Sequence, residues 1–198
     1  MKRTLTLALA ASLGATAFAQ TFTVATFADP SSSSANPLFF FDTVNNTLQG
    51  SWTQPGLTLN HPGFSGGGSS SNVTFTTSLI SLTNLGGGIY QMGGGTVNFL
   101  DSSSNALFTI TFNGGLFIDP FSAGSSEVVG DVVSFAGPNV PAGLTQESFA
   151  FSLANPDAVQ GGRNYTASFT SSAVPEPGTM IALGAGLAAL AARRRNRK

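Results

Sequence analysis

The 198-residue sequence predicts an all-β domain, an antiparallel β-sandwich of roughly eight to ten strands, with a jelly roll among its candidate topologies. Three observations carry this. Short runs alternate apolar and polar residues with the two-residue period of a half-buried strand. Clusters of Gly, Pro, Asn and Ser separate those runs, as turns require. Seventeen Phe stand beside one Trp and two Tyr, a composition suited to filling the space between two sheets. Each such ring buries on the order of 150–250 Å².

The strands follow in chain order. Phe22 and Val24 alternate with Thr21, Thr23 and Ala25. Val73, Phe75 and Thr77 alternate with Thr74 and Thr76. Ala106, Phe108, Ile110 and Phe112 alternate with Leu107, Thr109 and Thr111. Residues 128–135, 149–153 and 164–170 read the same way. Asn113-Gly114-Gly115 predicts a hairpin turn into residues 116–119, because Asn and Gly tolerate positive φ. Gly86-Gly87-Gly88 and Gly93-Gly94-Gly95 predict turns bracketing the short strand 89–92. They do not make a phosphate loop, since no Gly-Lys-Ser/Thr follows and no helix begins there. Residues 31–34 and 66–71 read as flexible loops.

Charge is segregated along the chain. Arg163 is the only basic residue between positions 20 and 173. The same stretch holds Asp29, Asp42, Asp101, Asp119, Glu127, Asp131, Glu147 and Asp157. An acidic domain with no basic patch is not a nucleic-acid binder, which needs clustered cations to displace phosphate counterions. Cysteine is absent, which excludes a disulfide framework, a thiolate nucleophile and a cysteine zinc site.

Both ends differ from the middle. Met1-Lys2-Arg3, an apolar run and Ala17-Phe18-Ala19 have the basic, apolar and A-x-A order of a secretory signal peptide. Residues 1–19 are therefore expected to be removed, with cleavage between Ala19 and Gln20. Residues 174–198 form the second targeting segment. Val174-Pro175-Glu176-Pro177-Gly178 reads as a stiff, extended, solvated spacer, because prolines one residue apart cannot lie in a regular helix or a central strand. The uncharged run 179–192 predicts a short transmembrane helix. At ~1.5 Å per residue it reaches about 20 Å, so insertion needs a thinned bilayer and snorkelling arginines. Arg193, Arg194, Arg195, Arg197 and Lys198 place that end in the cytoplasm and the β domain, residues 20–173, outside.

This tail resembles the PEP-CTERM sorting signal of exopolysaccharide-producing Gram-negative bacteria. Val174-Pro175-Glu176-Pro177, the Gly- and Ala-rich run and the terminal arginines carry the resemblance, which covers about the last 25 residues. It implies an exosortase, a membrane-embedded cysteine transpeptidase, as partner, with Pro175, Glu176 and Pro177 as recognition residues. An unprocessed single-pass anchor is the alternative, since hydrophobicity and arginines suffice for retention. A GPI signal does not fit a basic end. Ala182-x-x-x-Gly186 and Gly184-x-x-x-Ala188 spacings suit helix packing but are common in any Ala/Gly run.

Candidate chemistry in the domain is thin. His61 is the only histidine and lies in a turn-like Asn60-His61-Pro62-Gly63. Glu127, Asp131 and Glu147 are the nearest carboxylates to a glycosidase pair. Asp29, Asp42, Asp101, Asp119 and Asp157 are the available calcium ligands, without an EF-hand pattern. Asp29-Pro30 and Asp119-Pro120 read better as turn starters. Thr-x-Thr recurs at positions 21–23, 74–76 and 109–111 without a fixed period. A flat threonine face orders water in ice-binding proteins; the competing reading is the polar face of alternating strands. Three Asn-x-Thr triplets, at Asn45, Asn72 and Asn164, match a glycosylation acceptor pattern that means little in a bacterium.

The resulting expectation is an exported surface or matrix protein in an envelope, biofilm or exopolysaccharide setting. It is a non-enzyme with a structural or adhesive role, no cofactor, no metal and no catalytic residue. Its partners are the membrane and an exosortase, with exopolysaccharide as a further candidate. The alternative is a carbohydrate-binding or carbohydrate-hydrolysing β-sandwich, or an ice-binding protein, on the same anchor. The single Trp52 argues against a sugar platform, which usually exposes Trp or Tyr.

Overall fold

The computed structural model describes residues 20–30 and 36–175. The segments expected as signal peptide and transmembrane helix lie outside the described residues. Among those described, no helix is long and apolar enough to cross a membrane.

The described chain is all-β. Its strands are β1 (Phe22–Phe27), β2 (Phe39–Asp42), β3 (Thr47–Trp52), β4 (Leu59–Asn60) and β5 (Ser69–Ser70). Next come β6 (Thr74–Thr77), β7 (Ile80–Gly86), β8 (Ile89–Met92), β9 (Gly95–Leu100) and β10 (Ala106–Phe112). The last are β11 (Gly115–Ile118), β12 (Ser122–Ser126), β13 (Val133–Ala136), β14 (Leu144–Val159) and β15 (Gly162–Pro175). Fifteen strands exceed the expected eight to ten, because single β-runs break at bends and short pairs such as β4–β5 form from loop-like sequence.

Every pairing is antiparallel, and part of the ladder closes on itself. β15 pairs β2, β2 pairs β3 and β3 pairs β7. The ladder continues through β8, β11, β12 and β14 back to β15. Two wings extend this ring. The far half of β3 pairs β6, which leads to β9, β10 and β13. The far half of β15 pairs β1, which leads to β4 and β5. The sandwich expectation therefore holds for the wings, while the ring is barrel-like and hides its strand edges.

Phenylalanine joins the wings as composition suggested. Phe27 of β1 stacks on Phe75 of β6 with centroids 5.7 Å apart, and Phe169 of β15 meets Phe99 of β9 at 5.1 Å. Phe151 of β14 contacts Phe27, Phe75 and Phe169. β10 shows the underlying pattern: Phe108, Ile110 and Phe112 are buried while Thr109 and Thr111 point outward.

Three local expectations are corrected. Asn113-Gly114-Gly115 is not a hairpin turn, because β10 and β11 do not pair. Residues 89–100 and 106–118 instead form one long hairpin, its register constant through Phe117↔Tyr90, Gly115↔Met92, Phe112↔Gly95 and Phe108↔Phe99 and shifting only at Ala106↔Leu100. Both arms bend where glycine replaces side chain, at 93–95 and 113–115. A Cβ on Gly115 would stand 2.3 Å from the Gly124 carbonyl oxygen, so backbone approach, not turning, selects glycine there. Gly86-Gly87-Gly88 does make the expected turn, with Gly87 at φ 63°. The run 128–135 is not one strand: a 3₁₀ turn (Glu127–Val129) and Gly130 at φ 98° break it before β13. The strand expected at 164–170 runs on to Pro175.

The hairpin tips gather at one pole. The Thr43 N–H donates to the Gly161 carbonyl, and the Asp119 N–H to that of Gly88. The chain ends leave from the other pole, where Phe22 pairs with Ala173. There β1 and β15 both turn side chains into the phenylalanine core.

Candidate functional site

The exit strand at the end of β15 positions the start of the Pro-Glu-Pro motif. Residues 171–173 are held by β1 on one side, and the strand is held by β14 on the other as far as Pro175. On one side, the Ser171 hydroxyl accepts the Ala25 N–H at 3.0 Å and lies 3.0 Å from the Ala25 carbonyl, bridging an irregularity in β1. On the other, Thr145 pairs with Val174 and its hydroxyl donates to the Val174 carbonyl at 3.2 Å. Leu144 pairs with Pro175, and the Ser148 and Ser172 hydroxyls meet at 2.8 Å. Ala173 is fully buried and Val174 is 3% exposed. Proline is accommodated because Pro175 is the strand's final residue, where no further ladder bond is demanded. Of the sequence-predicted sorting residues, Val174 and Pro175 are thus strand and not the solvated spacer expected, because β14 runs on beside them; Glu176, Pro177 and the basic cluster lie outside the described residues. So do Ala17 and Ala19, while Gln20 is exposed two residues before β1.

Beside this strand lies a pair of carboxyl groups. The β14 register slips between Thr145 and Ser148, and Gln146 adopts φ 51°. This bulge turns Glu147 inward, opposite the exit strand, to 7% exposure. Its backbone N–H donates to Glu127 Oε2 at 2.9 Å. Its own Oε2 has no hydrogen-bond partner. Loss of solvent raises the Glu147 pKa to about 7; the Phe135 backbone N–H opposes the rise, and the Glu127 charge adds to it. Asp131, the third carboxylate singled out, accepts the Ser125 hydroxyl at 3.2 Å in a shallow groove of about 370 Å³ lined mainly by β12, β14 and β15. Glu127 and Glu147 come together, but one is buried against the other. They do not face each other across a cleft with room for a sugar.

Asp42, Asp101 and Asp119 are occupied by structural work. Asp42 caps its turn by accepting the Val44 and Asn45 N–H groups and the Asn45 amide, and the Asn45 bonds hold its pKa low. Asp101 does the same with Ser103 and Asn105, the Asn105 amide contributing most to its low pKa. Asp119 binds the Tyr165 hydroxyl at 2.6 Å and Arg163 at 2.5 Å, fastening the β11–β12 turn to β15. The Asp119 charge raises the Arg163 pKa, and burial raises that of Tyr165. No group of three His, Asp or Glu side chains gathers to hold a metal among the described residues. His61 stacks on Phe64 at 4.6 Å, and its Nε2 lies 3.0 Å from Ser70 Oγ. No carboxylate orients its ring, since Nδ1 has no partner. Trp52 is buried.

The Thr-x-Thr copies divide. Thr23 lies on β1 with Thr21 just before it, but 74–76 and 109–111 lie on one sheet, separated by β9. There Ser51, Thr76, Asn98 and Thr109 form a row across four strands, and Thr96, Thr111 and Ser134 form a second. These side chains point outward, opposite the buried phenylalanines.

Sequence reasoning named Glu127, Glu147, Asp119 and the Thr-x-Thr copies one by one, but missed how they meet: the Glu127–Glu147 contact, the Asp119–Arg163–Tyr165 tie and the threonine rows. Each joins residues by strand register, which leaves no local mark. Compared with known proteins, residues 173–195 match the family model of the PEP-CTERM protein-sorting motif. No curated protein and no solved structure matches the chain.

Proposed function

We propose that this chain is an exported surface or matrix protein, delivered by its C-terminal tail to an exosortase, whose β domain has a structural or adhesive rather than enzymatic role. The carrying observation is the sorting-motif match at residues 173–195, which begins inside the last strand of a folded domain. Pro-Glu-Pro, an uncharged run and terminal arginines follow in the order an exosortase substrate requires. The non-enzymatic reading draws on the carboxylates and the histidine, whose bonds serve turns and packing. The adhesive reading draws on the pole away from the chain ends. There Val44, Leu85, Phe121 and Val159 are exposed on hairpin tips, facing outward if the tail is in the membrane. Envelope, biofilm and exopolysaccharide settings follow from the resemblance of the tail alone.

Removal of residues 174–198 tests the sorting reading. The truncated chain is expected in the medium, while the full chain stays with cells until processed; fractionation and immunoblotting check this. Equal cell association of the two would overturn it.

Ice binding is a second reading, favoured by the two outward rows of Thr, Asn and Ser. Strands spaced ≈ 4.7–4.9 Å apart repeat these side chains regularly enough to order water. On this reading the purified protein shows thermal hysteresis, and Thr76→Tyr with Thr109→Tyr abolishes it. Wild-type protein without hysteresis removes the reading.

A further inference from the structure

We propose that the folded domain itself fixes where the sorting tail is cut, confining the transpeptidase to bonds beyond Pro175. The inference rests on the exosortase reading above and adds the position of the cut. The first three residues of the matched motif, Ala173, Val174 and Pro175, are already strand. Ala173 pairs with Phe22 on β1; Val174 and Pro175 pair with Thr145 and Leu144 on β14. The Val174 carbonyl is taken by the Thr145 hydroxyl, and its side chain is buried.

A peptidase cleft holds its substrate as an extended chain with free backbone N–H and C=O groups on both sides of the scissile bond. Up to Ala173 the strand lies between β1 and β14, and up to Pro175 it stays paired with β14. Delivering those groups would mean unzipping β15 and exposing Ala173 and Val174 to water. On the reading of 179–192 as the membrane segment, only residues 176–178 lie between sheet and bilayer, a span of at most about 10 Å. A membrane-embedded enzyme reaches that gap without disturbing the fold. At the bond used, its cysteine thiolate bonds to the carbonyl carbon and the C–N bond breaks. The leaving amine takes up a proton and departs with the tail. An amine or water nucleophile then takes the acyl group, gives up a proton in place of the one the leaving amine took, and releases the thiolate.

Two measurements test the proposal. The first needs no exosortase: the full chain in detergent micelles is digested with a broad-specificity protease, and the resistant core is weighed intact. The core is expected to end at Pro175 or later. Val174→Asp, which forces a charge into the buried end of the strand, is expected to shorten it by several residues. A separate variant, the Thr145→Cys/Val174→Cys pair, free of competing cysteines, locks the two strands and is expected to keep the wild-type end. A wild-type core ending before Ala173 overturns the proposal. The second measurement is the C-terminal mass of the mature protein from cells, expected at Glu176 or beyond; a terminus at or before Pro175 overturns it. A tail never cut in cells defeats the exosortase reading instead, and the protease digest still decides whether the strand is sheathed.

Discussion

Phe99→Ala is expected to destabilise the domain by about 3–5 kcal/mol, the range for emptying a closed aromatic site. Phe99 is fully buried on β9. Its ring lies 5.1 Å from Phe169, 5.7 Å from Phe75, 5.8 Å from Phe108 and 6.3 Å from Phe27. Those rings come from β15, β6, β10 and β1, so one side chain touches both wings. The loss combines the transfer free energy of the ring with a cavity that stiff neighbouring strands cannot collapse to fill. For a domain of this size the melting temperature falls by about 6–20 °C. Phe121→Ala is the control: Phe121 is 67% exposed, and its loss changes stability by no more than about 0.5 kcal/mol. Urea titration of the detergent-solubilised chain separates the two. Equal midpoints would show that the wings do not share the aromatic core described.

What the sequence made legible was local, and what it concealed was tertiary. Alternation located β1, β6 and β10, because the two-residue period is written into each strand regardless of its neighbours. The sorting tail was legible for the same reason: its three parts need only their order. Glycine clusters were ambiguous. Gly86-Gly87-Gly88 and Gly93-Gly94-Gly95 are identical in composition, yet the first turns through positive φ and the second is a corner crowded by Ser78, Ser81 and Phe112. Only the partner strands distinguish them. The end of β15 was misjudged because Ser171-Ser172-Ala173 looks like a linker. Its place in the sheet comes from β1 on one side and β14 on the other, 146 residues away in the case of Ala25 and Ser171. Glu147 was visible only as one acid among several. Its burial depends on a bulge in β14 that no local pattern marks.

That buried acid gives the second large effect, a stability that falls as pH rises. The Glu147 pKa stands at about 7 in the folded chain against 4.5 for the free side chain. The folded state therefore holds this proton more tightly than the unfolded state, and stability must decline as the pH passes from 4.5 to 7. At 1.36 kcal/mol per pKa unit the decline approaches about 3 kcal/mol and then levels off. Glu127 faces the group with like charge, and the Phe135 N–H is the one favourable contact acting on the anion. Arg163 cannot compensate, being committed to Asp119 near the pole of hairpin tips. Glu147→Gln removes the ionisation while keeping the shape. The variant is expected to match the wild type near pH 4 and to exceed it by up to about 3 kcal/mol at pH 8. Urea midpoints measured from pH 4 to 8 check this, and parallel curves for the two proteins would refute it. The consequence reaches the exit strand, because the bulge carrying Glu147 lies opposite Ala173, between the Thr145–Val174 and Ser148–Ser172 pairs. Ionisation weakens the sheet where it holds the start of the sorting motif. Protease trimming past Val174 should therefore be faster at pH 8 than at pH 5.5 in the wild type, and equally slow at both in Glu147→Gln.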